Sequence, residues 1–494
     1  VPISSNDVWL LSPEISLTLL ALVVILLDLV VKNRLAIVLT ALVGLAIPTG
    51  LTFALATNLP ANHHGFFNML IVDQYAIFFK LLFLLIGAVM LLVSYDYVNK
   101  YVRSAGEFYA LLLLSVTGMM LMASSSELIT IYISLELTSI PLYIMAGLLR
   151  NDDRSAEASV KYVLLGAMSS AILLYGFALL YGLTGTTDLH DIAQKTLTSG
   201  FAGGNILLLM ADIFVLAGFG FKISAVPFHT WAPDIYEGAP TPATGFFSVG
   251  SKAAGFAALM RVFIDGNLGP SNSFTIVTLI SVVAVLSMTL GNVVAIAQSN
   301  VKRMMAYSSI GQAGYILVGF AASVGTNSSA GTGSALFFLF VYVLTNLGAF
   351  AGIVALSHAL GTENIRDFNG LRFRNAWLAV GTSICLLSLA GVPPMAGFIA
   401  KVFLFAAAWQ QGLTWLVVFG VINSLISMGY YGYLVYAMFV RPPLKEGHIS
   451  SSFSLNTALA ISAVGIIVVT FLTQVILSQS QIGAAALAAF LGVH

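Results

Sequence analysis

Apolar residues come in runs of roughly 20, the length that crosses a bilayer as a helix, separated by short stretches that hold most of the charge. About fourteen runs can be marked, at 10 to 31, 35 to 57, 73 to 95, 107 to 124, 128 to 149, 157 to 183, 204 to 231, 243 to 263, 273 to 298, 304 to 324, 334 to 359, 376 to 409, 412 to 440 and 454 to 478. The seventh and twelfth are overlong and contain prolines, Pro227 in one and Pro393-Pro394 in the other. Each is predicted to be a discontinuous helix.

Composition agrees with the pattern. Of 494 residues, 59% are hydrophobic and 8% charged, with mean hydropathy +0.97, whereas a soluble domain carries roughly 25% charged residues. The expected class is an all-α polytopic membrane protein. Net charge is zero, so nothing suggests a nucleic-acid partner or an acidic tail for a soluble one. A single cysteine, Cys385, excludes a disulfide framework, a thiolate-ligated iron–sulfur cluster and a CxxC redox pair within this chain. Glu14 lies at the head of the first run and no small-residue cleavage site follows before Lys32, so that run is read as a retained helix and not a cleavable signal.

The distribution of Lys and Arg tests the helix count independently. Connections after odd-numbered runs, with their flanks, hold Lys32, Arg34, Lys100, Arg103, Arg150, Arg154, Lys161, Lys302, Arg303, Arg366, Arg372, Arg374, Arg441 and Lys445, against Lys195 and Arg261 after even-numbered runs. One missed or invented span would swap the sides of everything after it. Both termini are therefore expected on the non-cytoplasmic side.

One stretch, GFGFKISAVPFHTWAPDIYEGAPTP at 218 to 242, combines an ionisable residue with a broken helix. Lys222 sits in an apolar segment, Pro227 breaks it, and His229, Asp234 and Glu237 follow. A charge inside a membrane segment costs ~2.5 to 3.5 kcal/mol on insertion scales, which makes an ion or proton pathway its default reading; the alternative is a lysine snorkelling to the interface. The connection holding His229, Asp234 and Glu237 is the one inside-facing connection without Lys or Arg. Asp234 and Glu237 could gather protons at a pore mouth, or the segment could be a polar Pro/Gly-rich turn.

Other charges lie at depth. Glu136, in ISLELTSIPLY, is flanked by Ser134, Thr138 and Ser139 and followed by Pro141; Lys252, in FFSVGSKAAGF, lies among small residues; Lys401 follows Pro394 on the second half of a broken helix. A functional role is expected for these three, with structural ion pairing as the alternative. Lys80 is open between the two readings, Asp28 sits near the end of its run, and His358 reads as interfacial. The run GTNSSAGTGS has neither a strand before it nor a helix opening after it, so no nucleotide loop is supported.

With the topology fixed, runs four to eight and nine to thirteen form two five-helix units that begin on opposite sides. In each, the fourth helix is broken and carries a lysine, which is the inverted-repeat plan of secondary transporters. The correspondence is imperfect, because Lys222 precedes its proline and Lys401 follows its pair. The expected organisation is three N-terminal helices (1 to 106), a first repeat (107 to 264), a second, inverted repeat (265 to 440), and a last helix with its tail (441 to 494).

LELTSIPLY, GFGFKISAVPFHTWAPDIYEGAPTP, SVGSKAAGF, NVKRMMAYSSIGQAGY and SLAGVPPMAGFIAKV together resemble the antiporter-like membrane subunits of respiratory complex I and the related multisubunit cation/proton antiporters. The likeness covers nearly the whole chain. The opening LSPEISLTLLALVVILLDL, the end shortly after run fourteen and the lysine at 401 resemble the subunit N (subunit 2) branch of the bacterial NADH:quinone oxidoreductases. The resemblance implies that Glu136 and Lys222 are a coupled acid–lysine pair, Lys252 a connecting relay and Lys401 a terminal proton site. It implies no cofactor in this chain, with FMN, iron–sulfur clusters and quinone in partner subunits. The implied partners are a neighbouring antiporter-like subunit, small membrane subunits and a peripheral redox arm, in the bacterial inner membrane. A cation/proton antiporter subunit without a redox arm, and a scaffold whose charges only lock helices together, are the competing expectations.

Overall fold

The structure is a computed structural model that describes residues 4–58, 63–149, 151–198, 205–266, 273–324, 329–444 and 447–489. Arg150, Lys445 and part of the GTNSSAGTGS run lie outside the described residues. In chain order the helices are α1 (Ser5–Leu10), α2 (Ser12–Val30), α3 (Arg34–Gly44) and α4 (Ala46–Asn58). After a short β1–β2 hairpin (His63–Gly65 and Leu70–Val72) come α5 (Gln74–Tyr101), α6 (Ala105–Ser124), α7 (Leu128–Ala146), α8 (Asp153–Thr184), α9 (Leu189–Thr198), α10 (Ile206–Lys222) and α11 (Trp231–Gly238). Next are α12 (Thr241–Phe246), a π-helical turn (Phe247–Ser251), α13 (Lys252–Ile264), α14 (Ser273–Ile296), α15 (Val301–Ala321) and α16 (Ser329–Leu360). The chain ends with α17 (Leu371–Arg374), α18 (Ala376–Ala390), α19 (Ala396–Gln410), α20 (Thr414–Phe439), α21 (Phe453–Phe471) and α22 (Thr473–Ala489). The hairpin, with His63 opposite Val72, is the one departure from the all-α expectation among the described residues.

Every marked apolar run falls on a helix or on consecutive helices. Among the described residues, eleven helices are long and apolar enough to cross a membrane, α3 and α4 counting as one and α12 to α13 as another. The halves α18 and α19 are too short to count singly, and α15 carries a polar run that sets it apart. Polar side chains start several helices by accepting otherwise orphaned backbone N–H groups: Asp73 caps α5, Asp152 α8, Asn205 α10 and Asn300 α15.

Both predicted breaks are present. α10 stops at Lys222, and the chain passes Ser224 in a left-handed conformation before resuming at Trp231. The freed backbone groups are reclaimed locally: Val226 N–H donates to Ser287 Oγ at 2.9 Å, and Trp231 Nε1 to the Phe221 carbonyl at 2.9 Å. α18 stops at Ala390, Gly391 takes a φ of 80° and α19 begins at Ala396. Two elements form the buried axis, the α12–α13 helix and α16, which packs against α18, α19, α21, α22 and α15. Pairings recur between the halves of the chain. α6 packs on α7 as α14 does on α15, and α8 touches both halves of one broken helix as α16 touches both halves of the other.

Candidate functional site

The buried lysines and Arg261 fall into two groups. The first is paired with acids. Lys80 Nζ lies 2.9 Å from Glu14 Oε1, both buried. Arg261 is fully buried; it bonds Asp73 at 2.9 Å and Asp265 at 2.7 Å, donates to the Ala123 carbonyl at 2.9 Å, and lies 4.8 Å from the Tyr75 ring. Such saturated pairs behave as locks, because withdrawing one partner strands the other without solvent. Three residues counted as loop cations therefore sit inside the protein: Arg261, Arg374, and Lys302, whose Nζ lies 2.7 Å from Glu363. Lysine and arginine counts at helix ends cannot separate a topogenic charge from one folded inward.

The second group has no acidic partner within 4.0 Å among the described residues: Lys222, Lys252 and Lys401. Lys222, the last residue of α10, donates to Ser139 Oγ on α7 at 2.7 Å. Glu136, one turn before Ser139 on that helix, is close enough to act on Lys222 electrostatically, yet it forms no ion pair with it. Lys252 opens α13 directly after the π-turn and donates to Ser309 Oγ at 2.8 Å and to the Ser309 carbonyl. π-turns concentrate at functional positions because they shift the register of side chains along a helix. This one is held by Tyr342 and Asn346 of α16, which donate to Ser248 at 2.8 and 2.6 Å.

Lys401 reaches back to the other half of its broken helix. Its Nζ donates to the Leu389 and Ala390 carbonyls at 3.3 and 3.0 Å and to Ser424 Oγ at 3.0 Å, and it lies 4.5 Å from the Tyr315 ring. Those carbonyls are the unpaired C-terminal acceptors of α18, where the helix dipole favours a cation. Lys222 is itself the last residue of its first half-helix, and Lys401 reaches the end of its own through space.

The surroundings of the three lysines adjoin one another. A Cβ on Gly255, one turn beyond Lys252, would come within 3.1 Å of Lys222 Cγ, so the first two lie on packed faces of α13 and α10. From Ser309 the next residue, Ser308, bonds the Tyr431 hydroxyl, and Gln312 donates to that hydroxyl at 3.3 Å and to the Leu389 carbonyl at 3.1 Å. That carbonyl is shared with Lys401. Ser309, Gln312, Tyr315 and Tyr431 were not singled out from sequence, although SSIGQAGY is a conspicuous polar run within an apolar span.

Sequence reading also missed Asp212, fully buried on α10 with neither carboxyl oxygen hydrogen-bonded. His229 lies half-buried in the break of α10. Asp234 and Glu237 are brought together, each 2.9 Å from Arg303, and Asp234 also meets Lys161 at 3.0 Å. Burial alone pushes the Asp234 carboxyl up, but the bonds from Lys161 and Arg303 outweigh it and hold the group below its ordinary range. The cluster ties α11 to α8 and α15. Among the described residues no group of three or more His, Cys, Asp or Glu has the geometry of a metal site.

Residues 125–427 match the family model described as NADH:quinone oxidoreductase/Mrp antiporter, TM. NADH-quinone oxidoreductase subunit N of Heliobacterium modesticaldum is 45% identical over 390 residues, covering 79% of this chain and 79% of that protein. The chain belongs to the NADH-quinone oxidoreductase subunit N family. A subunit N from Trichlorobacter lovleyi is 41% identical over 474 residues, 95% of each chain. Among solved structures, a chain of respiratory complex I from Thermus thermophilus with bound aureothin superposes with a TM-score of 0.79 at 30% identity, over 94% of this chain and 98% of that one. The subunit N match also places this chain among multi-pass membrane proteins, in agreement with its apolar helices.

Proposed function

We propose that this chain is a proton-translocating membrane subunit of an NADH:quinone oxidoreductase, moving protons through Glu136, Lys222, Lys252 and Lys401 under the drive of redox chemistry in other subunits. The observation that carries this reading is the contrast between the two groups of cations. Lys222, Lys252 and Lys401 are buried with hydroxyls and carbonyls as partners, which can bind either protonation state of an amine, while the other buried lysines, Lys80 and Lys302, and Arg261 are paired with carboxylates. An approaching carboxylate holds a proton on a lysine and a receding one lets it go. Glu136 is placed to do this for Lys222. At ~150 mV, carrying one charge across the membrane costs roughly 3.5 kcal/mol, so only buried, strongly coupled groups can drive the transfer.

The fourteen-helix arrangement, the inverted repeats over 107 to 264 and 265 to 440, and the non-cytoplasmic termini in a bacterial inner membrane belong to the same proposal. The recurring packing of third helices against both halves of the broken fourth ones supports it. His229, Asp234 and Glu237 form the proposed uptake region. FMN, iron–sulfur clusters and quinone are assigned to partner subunits. A neighbouring membrane subunit is supported by Glu136, which is half-buried on a face of α7 where Ile133 and Ile140 are 61% and 51% exposed. At mid-depth a carboxylate facing lipid would be costly, so that face calls for protein cover.

Purification through a tag on this chain tests the reading. Flavin and iron–sulfur partners should copurify, with NADH-driven proton uptake in vesicles. A complex that exchanges cations for protons and has no redox arm would favour the antiporter reading, which the same family model also spans.

A further inference from the structure

Where the α7–α8, α11–α12, α14–α15 and α16–α17 connections converge, they enclose a polar cavity of about 530 Å³. At its floor Lys302 Nζ lies 2.7 Å from Glu363 Oε1 and donates to the Ala239 carbonyl at 2.8 Å. Thr241 and Asn300 each donate to Glu363 at 3.3 Å. The pair differs from the sealed Arg261 triad in one respect: Lys302 is 4% exposed but Glu363 keeps 26%, open toward the cavity. A carboxylate held on one side and wet on the other can exchange protons with water.

Tyr236 is fully buried on α11, one residue before the cavity-lining Glu237. Its hydroxyl lies beside Ser309 without a completed hydrogen bond, and Ser309 is the group that accepts from Lys252. A buried hydroxyl left one bond short costs free energy, so its place beside Ser309 calls for a reason. Glu237 also lines the smaller cavity of about 280 Å³ beside Asp234 and Arg303, so the surface cluster and the larger cavity share a wall.

We propose, resting on the proton-relay reading above, that the cavity floored by Glu363 and Lys302 is an uptake vestibule that feeds Lys252 by way of Tyr236 and Ser309. A hydronium ion in the cavity gives its proton to the Glu363 carboxylate, which loosens its hold on Lys302 and then releases that proton toward the Tyr236 hydroxyl, returning to the carboxylate. The Tyr236 hydroxyl accepts that proton and passes its own to Ser309, which hands one on in the same way. Lys252, as the amine, gains that proton and becomes the ammonium, while tyrosine and serine end unchanged.

The test uses the assembled complex in sealed membrane vesicles, with Glu363→Gln, Glu363→Asp, Tyr236→Phe and, as a reference, Lys252→Met. Tyr236→Phe removes an oxygen that anchors nothing, so a purely structural role predicts no change. Glu363→Gln and Tyr236→Phe should each slow proton-coupled turnover per assembled complex about tenfold, with Glu363→Asp recovering most of it. A cysteine replacing Ser299, at the rim, should react with a membrane-impermeant thiol reagent from the face that carries Arg103. Full turnover in Glu363→Gln and Tyr236→Phe alongside a defective Lys252→Met would overturn the vestibule and leave the relay standing. Normal pumping in Lys252→Met would overturn the relay itself. A Glu363→Gln variant that loses only the amount of complex, or a Ser299→Cys that stays unlabelled, also overturns the vestibule.

Discussion

Replacing Arg261 and replacing Lys252 should have opposite consequences, although both are buried cations on α13. Arg261 makes four hydrogen bonds of 2.7 to 3.1 Å: two to Asp73, one to Asp265 and one to the Ala123 carbonyl. Arg261→Ala strands two carboxylates that are 1% exposed. Breaking a buried pair from one side costs about 3 to 5 kcal/mol. Lys252→Ala strands no ion; it frees one serine hydroxyl and one carbonyl, a loss of about 1 kcal/mol per bond that the removed burial of a charge offsets. Thermal unfolding of the detergent-solubilised complex, with immunoblotting of membranes for subunit amount, reads both. Arg261→Ala should melt clearly earlier and accumulate poorly, and adding Asp73→Asn should recover part of the loss. Lys252→Ala should melt near wild type yet fail to pump. The division of the buried cations into locks and carriers is refuted if the two variants lose equal stability, or if Arg261→Ala is as stable as wild type.

Further outcomes are expected. Glu14→Gln should destabilise the N-terminal helices by leaving buried Lys80 without its acid, and Lys80→Met in the same chain should restore melting. Asp234, held below its ordinary pKa of 3.8, contributes stability that is present above that value and lost as pH falls through its lower folded one. Hydrogen exchange in α11 should therefore rise in acid, and in Asp234→Asn it should be raised at neutral pH already; identical exchange in the two proteins at neutral pH would discount the ion pairs. Cysteines at the exposed Arg103 and Arg372 should label from the cytoplasm and one at Thr414 from the opposite side; Gly106 is unsuited to labelling because a Cβ there would meet Asp28 at 2.4 Å. Labelling of all three from one face would refute the topology.

Element positions were legible because they depend on apolar length and on proline, both local properties. Pro227 and Pro393-Pro394 marked the two breaks, and the structure interrupts α10 and α18 beside them. Partnership was not legible, because it depends on which helices touch. Glu14 read as a charge ahead of a helix, yet it is the buried partner of Lys80 on α5. Arg261 and Lys302 read as topogenic and are folded inward. The π-turn leaves no trace in the apolar pattern, since FFSVGSKAAGF reads as continuous helix. Asp212 did leave one, a lone acid in ILLLMADIFVLAGFGFK, and was passed over beside the nearby lysine. That Lys401 reaches back to the end of α18 became visible only through its bonds to the Leu389 and Ala390 carbonyls.

Proton carriage by the unpaired lysines is tested most directly by protons translocated per NADH oxidised in vesicles carrying Lys222→Arg or Lys401→Arg. Guanidinium keeps the charge, the burial and most of the hydrogen bonding, but it cannot release its proton at any accessible pH. Carriage predicts that the complex assembles in normal amount while the proton ratio, or turnover with it, falls in both variants. Arginine variants that pump at the wild-type ratio and rate would contradict it.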